Sequence, residues 1–361
     1  MADRYWILGT GTWNSTSTTN WSASSGGAGG ASVPTASDNV FFDVNSNVGT
    51  GAFTVTMATS PRVCNDFTAS GLDGAMTLAG SAIGLTVSGS LFFPATNFTR
   101  SYTGTTTFAA TTTGKTITTN GKSITTIVVD GVGGGWTLQD ALTLGQACTL
   151  TNGTLDLNGK TLTCPTRFAT SAGTKNLTFN GGTIIITGSS TTSFNNAAPT
   201  GFSTTAGTGT GTISLTGQTA KTFVGGGSTF NCTINQGGTG LFAGDLRITG
   251  SNTFSNITNT HKNVNTASIL FTAGTTSTFT DWNASGESTR LLTIGSVTAA
   301  SHTLSKASGT VSADFLSVSQ STATGGAGWY AGANSTNGGN NSGWIFTAPP
   351  SGSNSNFLVF F

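Results

Sequence analysis

Short runs of alternating apolar and polar residues recur along most of the chain. In Phe53-Thr54-Val55-Thr56-Met57 and in Thr161-Leu162-Thr163-Cys164, apolar residues alternate with Thr. A period of two is typical of a β-strand that buries one face, and β-branched Thr suits the other face of a pleated sheet. The pattern therefore predicts an all-β chain built from many short strands.

Glycines and Asn-Gly pairs separate these runs. Asn-Gly accepts the positive φ angles that tight turns need. We predict a turn at each of four pairs: Asn120-Gly121, Asn152-Gly153, Asn158-Gly159 and Asn180-Gly181.

Strands this short and numerous fit either a β-solenoid or tandem β-sandwich domains. The segment from Leu142 to Cys164 favours the solenoid, because it holds four strand-like pieces separated by single Gly or Asn-Gly steps. Similar side chains also recur at a spacing expected for one coil, as in the pair Cys148 and Cys164 and the pair Phe108 and Ile127. We predict an elongated β-solenoid body with small aromatic-rich terminal caps, and keep tandem β-sandwich domains as the alternative.

The composition changes along the chain and suggests four segments. Three of the seven Trp and a Gly-rich stretch at 26–30 lie near the start, the alternating runs fill the middle, and a Trp-containing Gly/Asn/Ser-rich stretch precedes a polar linker. We predict an N-terminal cap or attachment segment at 1–50, a solenoid body at 51–310, a C-terminal cap at 311–348, and a linker with an apolar C-terminal peptide at 349–361.

Charge is scarce in this chain. It has 13 Lys+Arg and 12 Asp+Glu among 361 residues, or 7% charged residues and a net charge of +1, whereas an ordinary soluble domain has roughly 25% charged residues. Without a cluster of Lys and Arg, nucleic-acid binding is disfavoured. No apolar stretch approaches the roughly 18–20 residues that cross a bilayer, so we expect no membrane insertion. The start of the chain lacks a secretion signal, and we expect the product to fold in the cytoplasm of the cell that makes it.

Few residues are suited to catalysis. Glycoside cleavage needs two carboxyl groups within about 5–10 Å of each other. Asp281 and Glu287 fall in one predicted loop, and stacked coils could align Asp130 with Asp156, but the acids are otherwise scattered. We therefore expect no catalytic residue, and expect that the protein is not an enzyme.

Metal and cofactor sites are also not expected. His261 and His302 are far apart in the sequence, and we predict that both face solvent. No CxxC pair occurs, so buried free thiols are expected, with a Cys148–Cys164 disulfide as the alternative. The four cysteines are Cys64, Cys148, Cys164 and Cys232.

The last five residues are a candidate assembly site. They are Phe357, Leu358, Val359, Phe360 and Phe361. An exposed apolar end is an aggregation hazard in a free monomer. We predict that it docks on a neighbouring subunit or particle shell, and keep a terminal strand packed on its own solenoid as the alternative.

Trp329 and Tyr330 lie in a stretch rich in Gly, Asn and Ser. Aromatic faces beside amide groups can bind sugars, so the pair is a candidate glycan contact. The alternative is that the pair packs with Trp344 in the core of the C-terminal cap, because Trp is mostly buried wherever it occurs.

Two stretches carry a resemblance to a known group of proteins. The first runs through Tyr5-Trp6, Gly9 to Trp13, Asn20-Trp21-Ser22, Gly26 to Gly30, Val33-Pro34 and Asp38 to Asp43; the second runs through Asp314-Phe315-Leu316, Asn334-Ser335 and Gly343 to Phe346. They cover about a quarter of the chain and resemble the opening and closing segments of β-helical virion and surface proteins, which are common among tailed bacteriophages and on bacterial surfaces. The resemblance implies a structural or adhesive role, and no catalytic residue is carried over.

We expect a structural protein of a bacteriophage virion, either a capsid decoration or a component of a tail fibre or spike. Its expected partners are other virion proteins, copies of itself and host surface glycans; the resemblance implies a homo-oligomer, often a trimer. A polysaccharide-degrading tailspike and a bacterial surface adhesin are the alternatives. The absence of a visible secretion signal favours the virion.

Overall fold

The fold was analysed in a computed structural model, which describes residues 1–47, 49–59, 61–188, 192–240, 242, 244–261 and 267–350. Phe357–Phe361, the candidate assembly site, lie outside the described residues. Only 2% of the chain is helical, in two 3-10 turns at Thr18–Asn20 and Val44–Ser46. The remaining regular structure is β-strand, as the alternation predicts.

The described strands, in chain order, are β1 (Asp3–Trp6), β2 (Gly11–Trp13), β3 (Trp21–Ser22), β4 (Asn39–Phe42), β5 (Phe53–Met57), β6 (Arg62–Cys64), β7 (Phe67–Ala69), β8 (Met76–Ala79), β9 (Leu85–Val87), β10 (Leu91–Phe92), β11 (Phe98–Arg100), β12 (Thr105–Phe108), β13 (Lys115–Thr118), β14 (Thr126–Leu138), β15 (Leu142–Thr143), β16 (Ala147–Asp156), β17 (Thr161–Cys164), β18 (Arg167–Thr170), β19 (Lys175–Thr178), β20 (Thr183–Ile186), β21 (Phe194–Asn195), β22 (Phe202–Thr205), β23 (Gly211–Leu215), β24 (Lys221–Val224), β25 (Thr229–Gln236), β26 (Asp245–Thr249), β27 (Thr253–Asn259), β28 (Ser268–Phe271), β29 (Thr276–Phe279), β30 (Leu292–Ser296), β31 (His302–Ser305), β32 (Thr310–Ser312), β33 (Leu316–Val318), β34 (Ser321–Thr324), β35 (Gly328–Tyr330), β36 (Thr336–Asn337) and β37 (Trp344–Ile345).

These strands stack in parallel ladders that run along the molecule. One ladder has the order β6-β9-β12-β14-β16-β18-β21-β24-β26-β28-β30-β33-β36. A second has the order β1-β4-β7-β10-β13-β14-β16-β19-β22, so the long strands β14 and β16 belong to both. Further ladders have the orders β2-β5-β8-β11, β15-β17-β20-β23-β25-β27-β29-β31-β34 and β32-β35-β37. The fold is a β-solenoid of about 12 turns, which confirms the predicted class.

The core is a column of side chains that point inward from successive coils. Cys148 lies opposite Ile127 on one side and Phe168 on the other, and Phe168 lies opposite Phe194. The Phe168 and Phe194 rings stack at 5.4 Å with an angle of 5° between their planes. Their complete burial removes this aromatic surface from water, which is the main source of stability in such a column.

The two residue pairs that we predicted to lie one coil apart are not in register, although the residues involved are buried. Cys148 and Cys164 lie on strands that do not pair, and Phe108 lies opposite Val87 and Val129 instead of Ile127. Along the column, the coil from residue 148 to residue 168 is clearly shorter than the coil from residue 194 to residue 223. The coil is therefore longer and less regular than the spacing in the sequence suggested.

Three of the four predicted Asn-Gly turns are present. At Asn120-Gly121, Asn158-Gly159 and Asn180-Gly181 both residues have positive φ, for example +47° and +79° at the first pair. The fourth prediction was wrong because Asn152-Gly153 lies inside β16. Gly153 has a φ of +84° there and is the first residue of the part of β16 that pairs with β19.

Aromatic clusters lie near both ends of the solenoid. At the N-terminal end, Trp21 packs edge-on against Trp6 and Trp13 with centroid distances of 5.2 and 5.3 Å, and all three side chains are fully buried. β3 pairs antiparallel with β1, whereas every other pair of described strands is parallel. This reversed strand occupies the edge of β1 at which a preceding coil would otherwise stack.

Candidate functional site

The two residues of the candidate glycan contact are neighbours on strand β35 and point to opposite faces of it. Trp329 points inward and is 1% exposed, with its ring 5.2 Å from Trp344 and 5.6 Å from Trp282. Its indole N–H donates to the carbonyl oxygen of Thr324 at 2.9 Å. Tyr330 is half-buried on the outer face. Of the pair, only Tyr330 offers surface to a glycan, and Trp329 serves the core of the C-terminal cluster.

The residues that carry the C-terminal resemblance connect two successive coils. The Asp314 carboxylate accepts hydrogen bonds from the backbone and side-chain N–H groups of Asn334, at 3.0 and 2.8 Å. The Ser335 hydroxyl oxygen accepts the backbone N–H of Leu316 at 2.7 Å. Burial raises the pKa of the Asp314 carboxyl, but the hydrogen bonds from Asn334 and Phe315 outweigh it and lower the pKa overall. These side chains hold the backbones of the two coils in place, and they do not form a cluster of reactive groups.

The acidic residues of the N-terminal resemblance have the same kind of role. Asp38 accepts the backbone N–H and the hydroxyl of Thr35, at 3.0 and 2.7 Å, and the backbone N–H of Ala2 at 3.2 Å. Asp43 caps the turn at Val44–Ser46 by accepting the N–H of Asn45. Both carboxylates therefore fix the path of the chain around the N-terminal Trp cluster.

The solenoid does not align Asp130 with Asp156. Asp130 lies in register with Asn152, whose amide donates to it at 2.7 Å, whereas Asp156 lies in register with Thr137. Asp281 accepts the N–H of the residue that follows it. Within the described ranges, no group of three or more His, Cys, Asp and Glu side chains could hold a metal ion.

The prediction that both histidines face solvent was wrong, because His261 is 2% exposed and His302 is fully buried. The Nδ1 atom of His302 lies 2.8 Å from the Ser296 hydroxyl, and its ring stacks 4.8 Å from Phe271. Burial lowers the pKa of His302 to about 4. His302 occupies an inward position at the start of β31, where a polar residue was not expected.

Two lysines, Lys175 and Lys221, are also buried, which we did not predict. Lys175 is 1% exposed, and its ammonium donates to the carbonyl oxygens of Gly173, Ala198 and Thr200 at 3.1, 2.8 and 3.0 Å. Lys221 is fully buried and donates to the carbonyl of Gly217. Burial lowers the pKa of Lys221 to about 8. Both lysines lie in phase with inward apolar residues of their strands. The carbonyl groups that accept their hydrogen bonds can be identified only when the coil register is known.

The four cysteines are buried free thiols, as expected. Burial raises the pKa of each thiol, to about 12 for Cys164. Reactivity requires the thiolate, so these groups act as small core residues.

One outward-facing column is aromatic where its neighbours are polar. Tyr5, Phe41, Thr68 and Phe92 lie in register on β1, β4, β7 and β10. The rings of Tyr5 and Phe41 stack at 4.8 Å with 15° between their planes, and Phe92 is 36% exposed. The sequence did not single out this column, because Phe41 and Phe42 are adjacent and nothing local shows which one faces outward. The register of β4 supplies that information.

Comparisons with family models, with curated proteins and with solved structures found no match for this chain. In the part of the chain that the structure describes, no helix has the length and apolar character needed to span a membrane.

Proposed function

We propose that this chain is a non-enzymatic structural protein of a bacteriophage virion, either a capsid decoration or a component of a tail fibre or spike, whose outer faces contact host surface glycans. The parallel ladders support a mechanical role, since each coil is bonded along its length to the coils before and after it. The proposed partners are other virion proteins and copies of the chain itself.

The use of the carboxylates is the observation that carries this proposal. Asp66 accepts the backbone N–H of Ser90 at 2.7 Å, and Asp156 accepts the amide of Asn180 at 2.9 Å. Both bonds join successive coils. A glycosidase instead needs two carboxyl groups that converge on one bond. These two acids each accept a hydrogen bond from a neighbouring coil, which favours a structural role over the polysaccharide-degrading alternative.

Location on the particle tests this proposal. Antibodies raised against the recombinant protein would be coupled to gold and applied to gradient-purified phage particles and to uninfected host cells. We expect label at defined positions on the particles and none on the cells. Label on the cell envelope alone would overturn the virion role in favour of an adhesin. Release of reducing sugar from purified host polysaccharide would overturn the non-enzymatic role.

We further propose that Phe357–Phe361 attach the protein to its neighbours. Deleting these five residues should abolish incorporation into particles, because an apolar strand or groove contact would be lost. Incorporation would be measured by mass spectrometry of purified particles. The melting temperature of the shortened protein would show whether it still folds. A matched variant with five Ser residues at the same positions should behave like the deletion. Normal incorporation of either variant would contradict the attachment role.

A further inference from the structure

The aromatic column on the outer face contains a gap between two rings. Phe41 and Phe92 both lie in register with Thr68, one rung to either side of it. Tyr5 stacks on Phe41 with nearly parallel planes. Because Tyr5 is the rung partner on one side, the other face of the Phe41 ring is directed along the ladder toward Thr68. Phe92 stands on the far side of the same gap.

The width of the gap selects the shape of a ligand. Adjacent parallel strands lie about 4.8 Å apart, so the backbones of β4 and β10 are separated by about 9.6 Å. Van der Waals contact with a ring on each side takes about 7–8 Å in total, which leaves about 2 Å for the thickness of the inserted group. A flat aromatic ring would lose contact with one wall. A puckered saturated ring with axial C–H groups is thicker and comes closer to contact with both walls.

The floor and margin of the gap are polar. The hydroxyl of Thr68 makes no hydrogen bond to any of the described residues. In the neighbouring outward column, Asp66 uses one carboxylate oxygen to accept the N–H of Ser90, and its other oxygen has no donor within the described part of the chain. Hydroxyl groups at the edge of a saturated ring would donate to the Asp66 carboxylate and accept from the Thr68 hydroxyl.

The geometry points to a saccharide-binding slot formed by Phe41, Thr68 and Phe92, with Asp66 at its margin. The ligand class is a neutral β-1,4-linked glucan-type oligosaccharide, because equatorial substituents leave only C–H groups on both faces of each pyranose ring. Aromatic walls bind such faces, and the hydroxyls around the ring edge reach Thr68 and Asp66. This inference rests on the glycan-contact part of the proposed function and gives that contact a location.

Binding of cellohexaose to the purified full chain tests the slot. Isothermal titration and saturation-transfer NMR would compare the wild type with Phe92→Ala, in which one wall is removed from an already exposed position. We expect binding by the wild type and about tenfold weaker binding by Phe92→Ala. Phe242→Ala is the matched control, because Phe242 is 57% exposed and lies elsewhere on the solenoid; it should bind like the wild type. Phe92→Tyr should retain binding, since it keeps the ring.

Three outcomes would overturn the inference: no binding of cellohexaose by the wild type, equal binding by the wild type and Phe92→Ala, or tighter binding of adenosine than of cellohexaose through the same residues. The last result would assign the gap to planar ligands. Failure of the slot leaves the location of the protein on the particle unaffected. Absence from the particle, in turn, leaves the binding measurement intact, so the two proposals fail separately.

Discussion

Lys175 shows how this chain tolerates a charge in its interior. Its ammonium has three N–H groups, and each donates to a backbone carbonyl, two of which belong to the segment before β22. A buried ammonium without such partners would be strongly destabilising. Burial still lowers the pKa of Lys175, but the carbonyl oxygens offset part of the cost. The side chain thereby ties β19 to residues about one coil later in the chain.

Replacing Lys175 with Met keeps the apolar stem and removes the donors. We expect Lys175→Met to lower the free energy of unfolding by about 2–3 kcal/mol, since three backbone carbonyl oxygens lose a charged donor. Guanidinium denaturation followed by circular dichroism would measure the change. Lys122→Met is the matched control, because Lys122 is only half-buried and its side chain donates to none of the described residues. Equal effects of the two substitutions would argue against the carbonyl contacts as the cause.

His302 makes stability depend on pH in the acidic range. Its pKa is about 4 in the folded protein, against about 6.5 in an unfolded chain. Between these values the unfolded state binds a proton that the folded state does not, so stability is lost as pH falls from 6.5 to 4. The loss from this group should be about 3 kcal/mol. Denaturation at pH 7 and pH 4 should show a smaller loss for His302→Gln than for the wild type, and an equal loss would contradict this assignment.

At the scale of elements, the corners of the coil depend on residues that adopt positive φ. Asn120-Gly121 and Asn180-Gly181 turn the chain with both residues in the left-handed region. The side-chain amides add a second contribution: Asn120 donates to the carbonyl of Phe93, and Asn180 donates to Asp156. Each corner is therefore fixed by its own backbone preference and by a bond to the previous coil.

Gly121 isolates the backbone contribution. A Cβ at Gly121 would meet no atom within 4 Å, and the φ of this residue is +79°. Gly121→Ala should therefore cost about 1–2 kcal/mol through conformational strain alone. Gly51→Ala is the matched control, because its Cβ also meets open space but its φ lies outside the left-handed region. That variant should be neutral or slightly stabilised. A loss of stability at both sites, measured by thermal denaturation, would count against strain as the cause.

The strands, most of the Asn-Gly turns and the solenoid class were accessible from the sequence, because alternation and turn chemistry are local properties. The coil register was not accessible, because irregular corners give coils of unequal length. Every feature that depends on the register was missed for the same reason. The carbonyl partners of Lys175 and the outward direction of Phe41 both depend on which residues lie one coil away.

At the scale of the whole molecule, the N-terminal segment covers an edge that would otherwise be open. β1 stacks on β4, and the antiparallel β3 stacks on β1. Exposed strand edges template pairing with other chains. The fully buried cluster of Trp6, Trp13 and Trp21 holds this cover in place.

Removing residues 1–37 should expose the edge of β4 and the aromatic surface beneath the cap. We expect the shortened chain to form larger, concentration-dependent assemblies than the full chain in sedimentation velocity, with circular dichroism confirming that it remains folded. Adding Phe41→Lys to the shortened chain should reduce this assembly, because a charged edge opposes strand pairing. If the shortened and full chains sediment alike at every concentration, the cap does not have this protective role.

The uneven coil length has a consequence for how such a chain can change. The coil from residue 194 to residue 223 takes more of the chain than the coil from residue 148 to residue 168, yet both pairs remain in register. The additional residues are accommodated at the corners, so an insertion there lengthens one loop and moves no rung. Loss or duplication of a whole coil would alter the length of the rod by about 4.8 Å and leave the remaining contacts as they were. The number of coils sets the length of the rod, and the loops at the corners set its surface. Each can therefore vary without disturbing the other.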